Sequence, residues 1–123
     1  MELRELTKAE EQIMQVLWTL EKAFAKEVLN ELPEPKPAYN TVSTIIRILE
    51  TKGFVEHEAF GKSHRYFPVV SKEQYKSFAT EKLLSGYFGN SVESMFSFFV
   101  KKEKIDLKEA DEILKLINNL KKK

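Results

Sequence analysis

Asn40, Ser43, Thr44 and Arg47 recur within PAYNTVSTIIRILETKG (Pro37–Gly53) at spacings that gather hydrogen-bonding groups on one side of a helix. At about 100° per residue, Asn40, Ser43, Thr44, Arg47 and Thr51 share that side, and Val42, Ile45, Ile46 and Leu49 share the other. The polar side carries short donors, one guanidinium and no carboxylate. A helix side that is merely solvated more often shows Glu and Lys four positions apart. Small donors with one arginine suit a surface that approaches phosphates and base edges closely, which is the chemistry of duplex DNA recognition. Tyr39 and Asn40 stand where the helix would begin, against the nucleic-acid backbone. A second group, Lys62, Ser63, His64 and Arg65, places three basic side chains within four positions. Those are phosphate-directed donors. The plainer reading of both groups is wet surface and a solvated turn.

Other chemistry finds little support. His57 and His64 are the two histidines of the chain, flanked by Glu56 and Glu58. They could face each other across a hairpin, but two imidazoles without a clear third ligand make a weak metal site. Surface or phosphate-contact roles suit them better. No Ser/His/Asp pattern, phosphate-binding loop or dinucleotide fingerprint is present. The carboxylates lie beside lysines, as in Glu109 to Glu112, and read as solvated faces. No cysteine occurs, which removes disulfides, thiolate metal sites and thiol catalysis together. The expectation is a protein that is not an enzyme and needs no metal or cofactor.

The chain has 123 residues, 42% of them apolar, and a formal charge of +1. That is enough for a core in one or two small domains. A nearly neutral chain binds a polyanion only through local placement of charge and through doubling the site in a dimer. MELRELTKAEE lacks the apolar run of a signal peptide, and no window of about 18 residues is apolar enough to span a membrane. A cytoplasmic protein without membrane insertion is expected.

The positioning elements follow in order. Thr7 and Glu10 have capping-box spacing, and Ile13, Met14, Leu17 and Leu20 recur helically, predicting a first helix over Thr7–Leu20. Trp18 lies beside that stripe, in core or interface. Lys22–Phe24 suits a very short strand, and Ala25–Leu32 a short helix with Val28, Leu29 and Leu32 inward. Pro33, Pro35 and Pro37 forbid helix just upstream of the third. Asn40 or Thr41 is expected to cap that helix, and Gly53 to end it. Phe54–Ala59 and His64–Val69 favour strands, joined by a Phe60-Gly61-Lys62-Ser63 turn. Pro68 assigns the end of the second strand to an edge. Helix, helix, Pro-rich turn, helix and hairpin in that order is the winged helix-turn-helix arrangement, whose last helix lies in the major groove.

Residues 71–123 read as three more helices. Ser71 and Gln74 have capping-box spacing, and Tyr75, Phe78, Ala79, Leu83 and Tyr87 line a helix to about Phe88. Gly89-Asn90-Ser91 breaks it. A short helix over Ser91–Lys102 follows. Asp106 caps the last, with Leu107, Ala110, Ile113, Leu114, Ile117 and Leu120 inward, and Lys121–Lys123 forms a solubilising tail. So small a unit has little interior, and its aromatic surplus would form the apolar patch that usually marks an interface. Dimerisation through Tyr75, Phe78, Leu83, Tyr87, Phe96, Phe99, Ile113, Leu114 and Ile117 is expected. The alternative is that these helices pack back on the winged helix. The fold class expected is therefore mostly α with a minor sheet: a winged-helix DNA-binding domain over 1–70 and a helical dimerisation domain over 71–123.

Four stretches carry a family resemblance: LTKAEEQIMQVLW (Leu6–Trp18), KEVLNELP (Lys26–Pro33), AYNTVSTIIRILETKGFVEHE (Ala38–Glu58) and GKSHRYFPVVSKEQY (Gly61–Tyr75). They resemble the penicillinase-repressor family of BlaI/MecI-type transcriptional regulators. The resemblance implies a dimeric repressor on a palindromic operator, with Thr41, Thr44 and Arg47 on the recognition helix and the C-terminal helices intertwined. It also implies a membrane-bound sensor protease as a candidate partner, since some members are inactivated by cutting an Asn-Phe bond. That pair aligns with Phe98-Phe99 here, so the usual switch loses its asparagine. A sister group senses copper through paired cysteines, which this chain lacks. The family's small polar cap before the second helix is replaced by Phe24.

Two functions compete: a sequence-specific repressor acting as a homodimer on double-stranded DNA, and a winged helix used as a protein-interaction scaffold. Operator sequence, regulated genes and inducing signal are not written in the sequence.

Overall fold

The computed structural model describes residues 3–102 and 106–121, with 117–121 by backbone alone. Helix α1 spans Lys8–Leu20, strand β1 Ala23–Phe24, helix α2 Ala25–Glu31 and helix α3 Tyr39–Thr51. Strands β2 (Val55–Phe60) and β3 (Ser63–Pro68) follow, then helices α4 (Lys72–Tyr87), α5 (Val92–Lys101) and α6 (Leu107–Lys121). Two compact units divide the chain, Met1–Ala79 and Thr80–Lys123. Tyr75 and Phe78 at the start of α4 pack with the core of the first unit.

Local chemistry explains most of the element ends. Thr7 Oγ1 accepts the Glu10 N–H and the Glu10 carboxylate accepts the Thr7 N–H, closing the expected box on α1. Ser71 and Gln74 close the same box on α4, Ser91 accepts the Ser94 N–H on α5, and Asp106 accepts the Glu109 N–H on α6. Phe24 offers α2 no side-chain cap, yet the Glu27 carboxylate still accepts its N–H at 2.8 Å, and the helix starts where expected. Helix α2 ends under Lys36, whose ammonium donates to the carbonyls of Asn30 (2.9 Å) and Leu32 (2.6 Å). Cations suit helix C-termini for this reason. Gly53 ends α3 at φ 86. Its N–H reaches Glu50 O while the Phe54 N–H reaches Leu49 O, the paired bonds of a Schellman motif, which needs a left-handed residue.

The cap of α3 differs from expectation. Ala38 is the N-cap and makes no side-chain bond, and its carbonyl accepts from Val42. Ala38 is extended, at φ -68 and ψ 150, so the helix begins at Tyr39. Asn40 and Thr41 therefore sit inside the first turn. The sheet differs too. Its order is β1-β3-β2, which makes β3 central and not an edge strand. Residues Ala23 and Phe24 pair with Tyr66 and Arg65. Pro68 is tolerated because β1 reaches no further than that pair.

The core of the first unit joins all these elements. Met14, Leu17, Val28, Val42, Ile46, Leu49, Phe54 and Val55 are fully buried. The Trp18 indole donates to Val70 O at 2.9 Å. Tyr75, expected among the dimer contacts, instead accepts the Leu6 N–H at 2.9 Å and packs against Phe54 and Trp18. Its position belongs to the first unit's interior. In the second unit Ala110 is buried, but α5 buries no residue, and Leu107, expected inward, is 83% exposed. The Ile117 and Leu120 side chains and the end of the lysine tail lie outside the described residues.

Lys52, the C-cap of α3, donates to both oxygens of Glu10 at 2.8 and 2.9 Å. Burial pushes the Glu10 carboxyl up, but the Lys52 ammonium and the Thr7 bonds outweigh it and hold it below the usual carboxylate range. A carboxylate depressed in the folded state stabilises above its unfolded value, about 4.3, and ceases to do so as pH falls through the folded one. Lys52→Met should destabilise the fold by about 2 kcal/mol at pH 7, because it strands a buried carboxylate. In thermal melts at fixed chain concentration the gap should close below about pH 4. Equal melting at pH 7 would show the pair to be idle.

Candidate nucleic-acid interface

Burying Val42, Ile46 and Leu49 against the core forces the opposite side of α3 outward. Tyr39, Asn40, Thr41, Thr44 and Arg47 are exposed along it and Ser43 is half-buried. The Thr51 hydroxyl donates back to Arg47 O at 3.0 Å. No side chain caps this helix, so the N–H groups at its start have no side-chain acceptor. Helix N-termini favour anions for that reason.

The hairpin forms the wing. Phe60 pairs with Ser63, so Gly61 and Lys62 are the whole turn. Gly61 has φ 61 in the first central position, as a type II′ turn requires. Lys62, Ser63 and His64 are exposed at the tip. Alternation along the strands then splits the basic group. His57, Ala59, His64 and Tyr66 share one hairpin face, and Glu58, Phe60 and Arg65 share the other. The Arg65 guanidinium lies 4.8 Å over the Phe60 ring and 3.7 Å from Glu58. Lys22 holds the same Glu58 at 2.8 Å, and this bond, with Arg65 adding, keeps that carboxyl below its usual range. Arg65 is thus engaged in the wing, while Lys62, Ser63 and His64 stand with the open tip.

Two residues outside the expected DNA-binding set, Glu50 and His57, border the site. Glu50 follows Arg47 by three positions and so borders the polar side of α3. His57 Nδ1–H donates to its carboxylate. The His57 ring stacks on His64 with centroids 4.0 Å apart and planes 8° from parallel. Nearby, burial raises the Tyr66 hydroxyl above the usual phenol range; the Glu50 charge adds to this, and the Arg47 charge beside it opposes it. Helix and wing are therefore joined through side chains. The sequence hint was two histidines flanking the hairpin, able to face each other across it; the register sets them diagonally. Among the described residues no group of three or more His, Cys, Asp or Glu could hold a metal ion, and no helix is long and apolar enough to cross a membrane.

A three-helix unit with a short sheet, an outward third helix and a hairpin beside it defines a winged helix-turn-helix protein. A family model described as penicillinase repressor matches residues 6–119. The chain belongs to the penicillinase repressor family. It is 24% identical over 115 residues to the methicillin resistance regulatory protein MecI of Staphylococcus aureus strain N315, covering 93% of this chain and 94% of that one. It is 22% identical over 114 residues to the penicillinase repressor of Bacillus licheniformis, covering 92% and 89%. The solution structure of the DNA binding domain of the repressor BlaI superposes with TM-score 0.53 at 25% identity, covering 60% of this chain and 92% of that one. A complex structure of hsRosR-S4 superposes with TM-score 0.54 at 19% identity, covering 82% and 90%, a likeness of fold.

The two wing cations should separate experimentally. Arg65→Ala removes the contacts to Phe60 and Glu58 and should lower stability by about 0.5–1 kcal/mol. Lys62→Ala should stay within about 0.5 kcal/mol of the parent. Denaturant titration measures both, and equal effects would place Arg65 on the open surface.

Proposed function

We propose that this chain is a sequence-specific DNA-binding transcriptional repressor, acting in the cytoplasm as a homodimer on a palindromic operator. The observation that carries the reading is the exposed side of α3: Tyr39, Asn40, Thr41, Thr44 and Arg47 beside an uncapped first turn. Its relatives' names, and the DNA binding domain of BlaI among the similar structures, support it. In the proposed complex α3 enters the major groove. Arg47 bonds a guanine edge or a phosphate, Thr41, Ser43 and Thr44 meet phosphates or thymine methyls, and Tyr39 and Asn40 hold the helix start. Lys62, Ser63 and His64 grip the flanking strand. Occupying promoter DNA is the means of repression.

The dimer is supported by the second unit's surface. Leu83, Tyr87, Val92, Phe98, Leu107, Leu114 and Leu116 are all exposed in the single chain, Tyr87 to 81%. Phe96, Phe99 and Ile113 are half-buried beside them in sequence. Apolar surface on this scale is covered by a partner in stable proteins, and two copies also double the basic surface of a chain with charge +1. Phe98-Phe99 stands where some relatives are cut, so a membrane-bound sensor protease would have to cleave elsewhere. The near-neutral charge favours one rival, a winged helix that docks proteins.

Incubation with genomic fragments at about 150 mM salt separates the two: a repressor enriches an inverted repeat and a scaffold enriches nothing discrete. On the recovered duplex, Arg47→Ala should cost about 1–3 kcal/mol if its contact is bidentate to a base. Lys62→Ala should weaken all duplexes alike and flatten the dependence of log K on log salt by about one. Sedimentation as a single chain would overturn the dimer.

A further inference from the structure

Glu50 is the carboxylate that borders the polar side of α3, one turn after Arg47. Left unpaired, it would face the same phosphates that Arg47 and the first turn attract, and like charge there repels. Its bond to His57 Nδ1–H turns the carboxylate toward the wing, with both side chains about one-third exposed at 32%. The bond also crosses from helix to wing.

His57 lies opposite Tyr66 and His64 lies opposite Ala59, so the two imidazoles are diagonal neighbours on one hairpin face. Ala59 is the smallest side chain on that face, and it leaves His64 room to lean across onto His57. The result is the nearly parallel stack described above. Tyr66 meets both rings at steep angles, at 5.7 and 6.1 Å. His64 is one residue from the two-residue turn's far side and is itself exposed. A side chain already held in place loses less freedom when it meets a ligand.

We propose that His57 is a positioning residue of the DNA interface: anchored by Glu50 on α3, it holds the His64 ring, and the wing tip with it, against a phosphate beside the groove that α3 enters. This rests on the DNA-binding reading. His57 itself acts through His64 and touches no DNA. The relay Glu50–His57–His64 sets the angle between recognition helix and wing, so it selects duplexes whose backbone lies at the matching distance from the contacted bases.

The test uses the full chain, the duplex recovered by genomic enrichment and a scrambled duplex of equal length. His57→Ala and His64→Ala should each weaken binding to the recovered duplex about fivefold. The double variant should bind no more weakly than His64→Ala alone. Glu50→Ala should match His57→Ala, whereas Glu50→Gln, which keeps an acceptor for Nδ1–H, should recover most of the loss. In the free protein, Glu50→Ala should move the ring resonances of His64 as well as those of His57. Normal parent binding with effects of His57→Ala and His64→Ala that multiply would overturn this proposal alone. Unmoved His64 resonances would overturn it without reference to DNA. A parent chain that prefers no duplex would overturn it together with the repressor reading.

Discussion

The Glu10 carboxylate closes the first turn of α1 and takes the Lys52 ammonium at the end of α3. One side chain therefore fixes where one helix starts and where another stops. An isolated buried carboxylate is costly, so the fold tolerates Glu10 only with Lys52 in this place. Lys52 in turn is placed by the Schellman turn at Gly53. The position of α3 is thus set at its C-terminal end by charge and along its length by Val42, Ile46 and Leu49. Its polar side needs no bond of its own to stay where it is. That independence lets Tyr39, Asn40, Thr41, Thr44 and Arg47 stay open toward solvent.

The wing obeys a similar logic with different chemistry. A two-stranded ribbon alone is marginal in water. Here β1 adds a third strand to β3, and Arg65 seals the outer face across Phe60 and Glu58. On the inner face His57 reaches Glu50. The hairpin is held at its base by Val55 and Tyr66 in the core and along its length by these polar contacts. Only Gly61, Lys62 and Ser63 extend past that support.

Features that depend on neighbours in sequence were legible from the sequence. The Thr7–Glu10 and Ser71–Gln74 boxes, the cap at Asp106, the Gly53 stop and the buried stripe of α3 each need residues within one or two turns. Features that depend on distant partners were not. Nothing near Lys52 announces a carboxylate 42 positions away. The pairing of Ala23 and Phe24 with β3 made that strand central, and no property of Pro68 could signal it. Tyr75 reads equally well as an interface aromatic until Leu6, Trp18 and Phe54 surround it. Leu107 follows the helical stripe of α6 yet is exposed in the single chain. For the candidate site, the outward face of α3 was readable because its opposite face is apolar. The separation of Arg65 from His64 needed the register of the hairpin. The expected cap at Asn40 or Thr41 missed because a helix can begin without a side-chain cap when open N–H groups are exposed to water.

A chain with 19 acidic and 20 basic residues has no bulk attraction for a polyanion. Four carboxylates of the first unit are held by partners on the protein. Glu10 is buried on Lys52, Glu50 is bonded by His57, Glu58 is shared by Lys22 and Arg65, and Glu27 accepts the Phe24 N–H. Each of these acids is tied to a partner on the protein. Arg47 and Lys62 make no comparable ion pair among the described residues. The fields of the Glu10 and Glu58 ion pairs fall off faster than those of single charges, Glu56 stands exposed on the wing, and the open cations Arg47 and Lys62 raise the potential locally at α3 and the wing tip. Net charge near zero and a locally positive surface are compatible on this arrangement. It explains why the acid-free side of α3, and not the composition, is the feature from which a nucleic-acid interface can be argued.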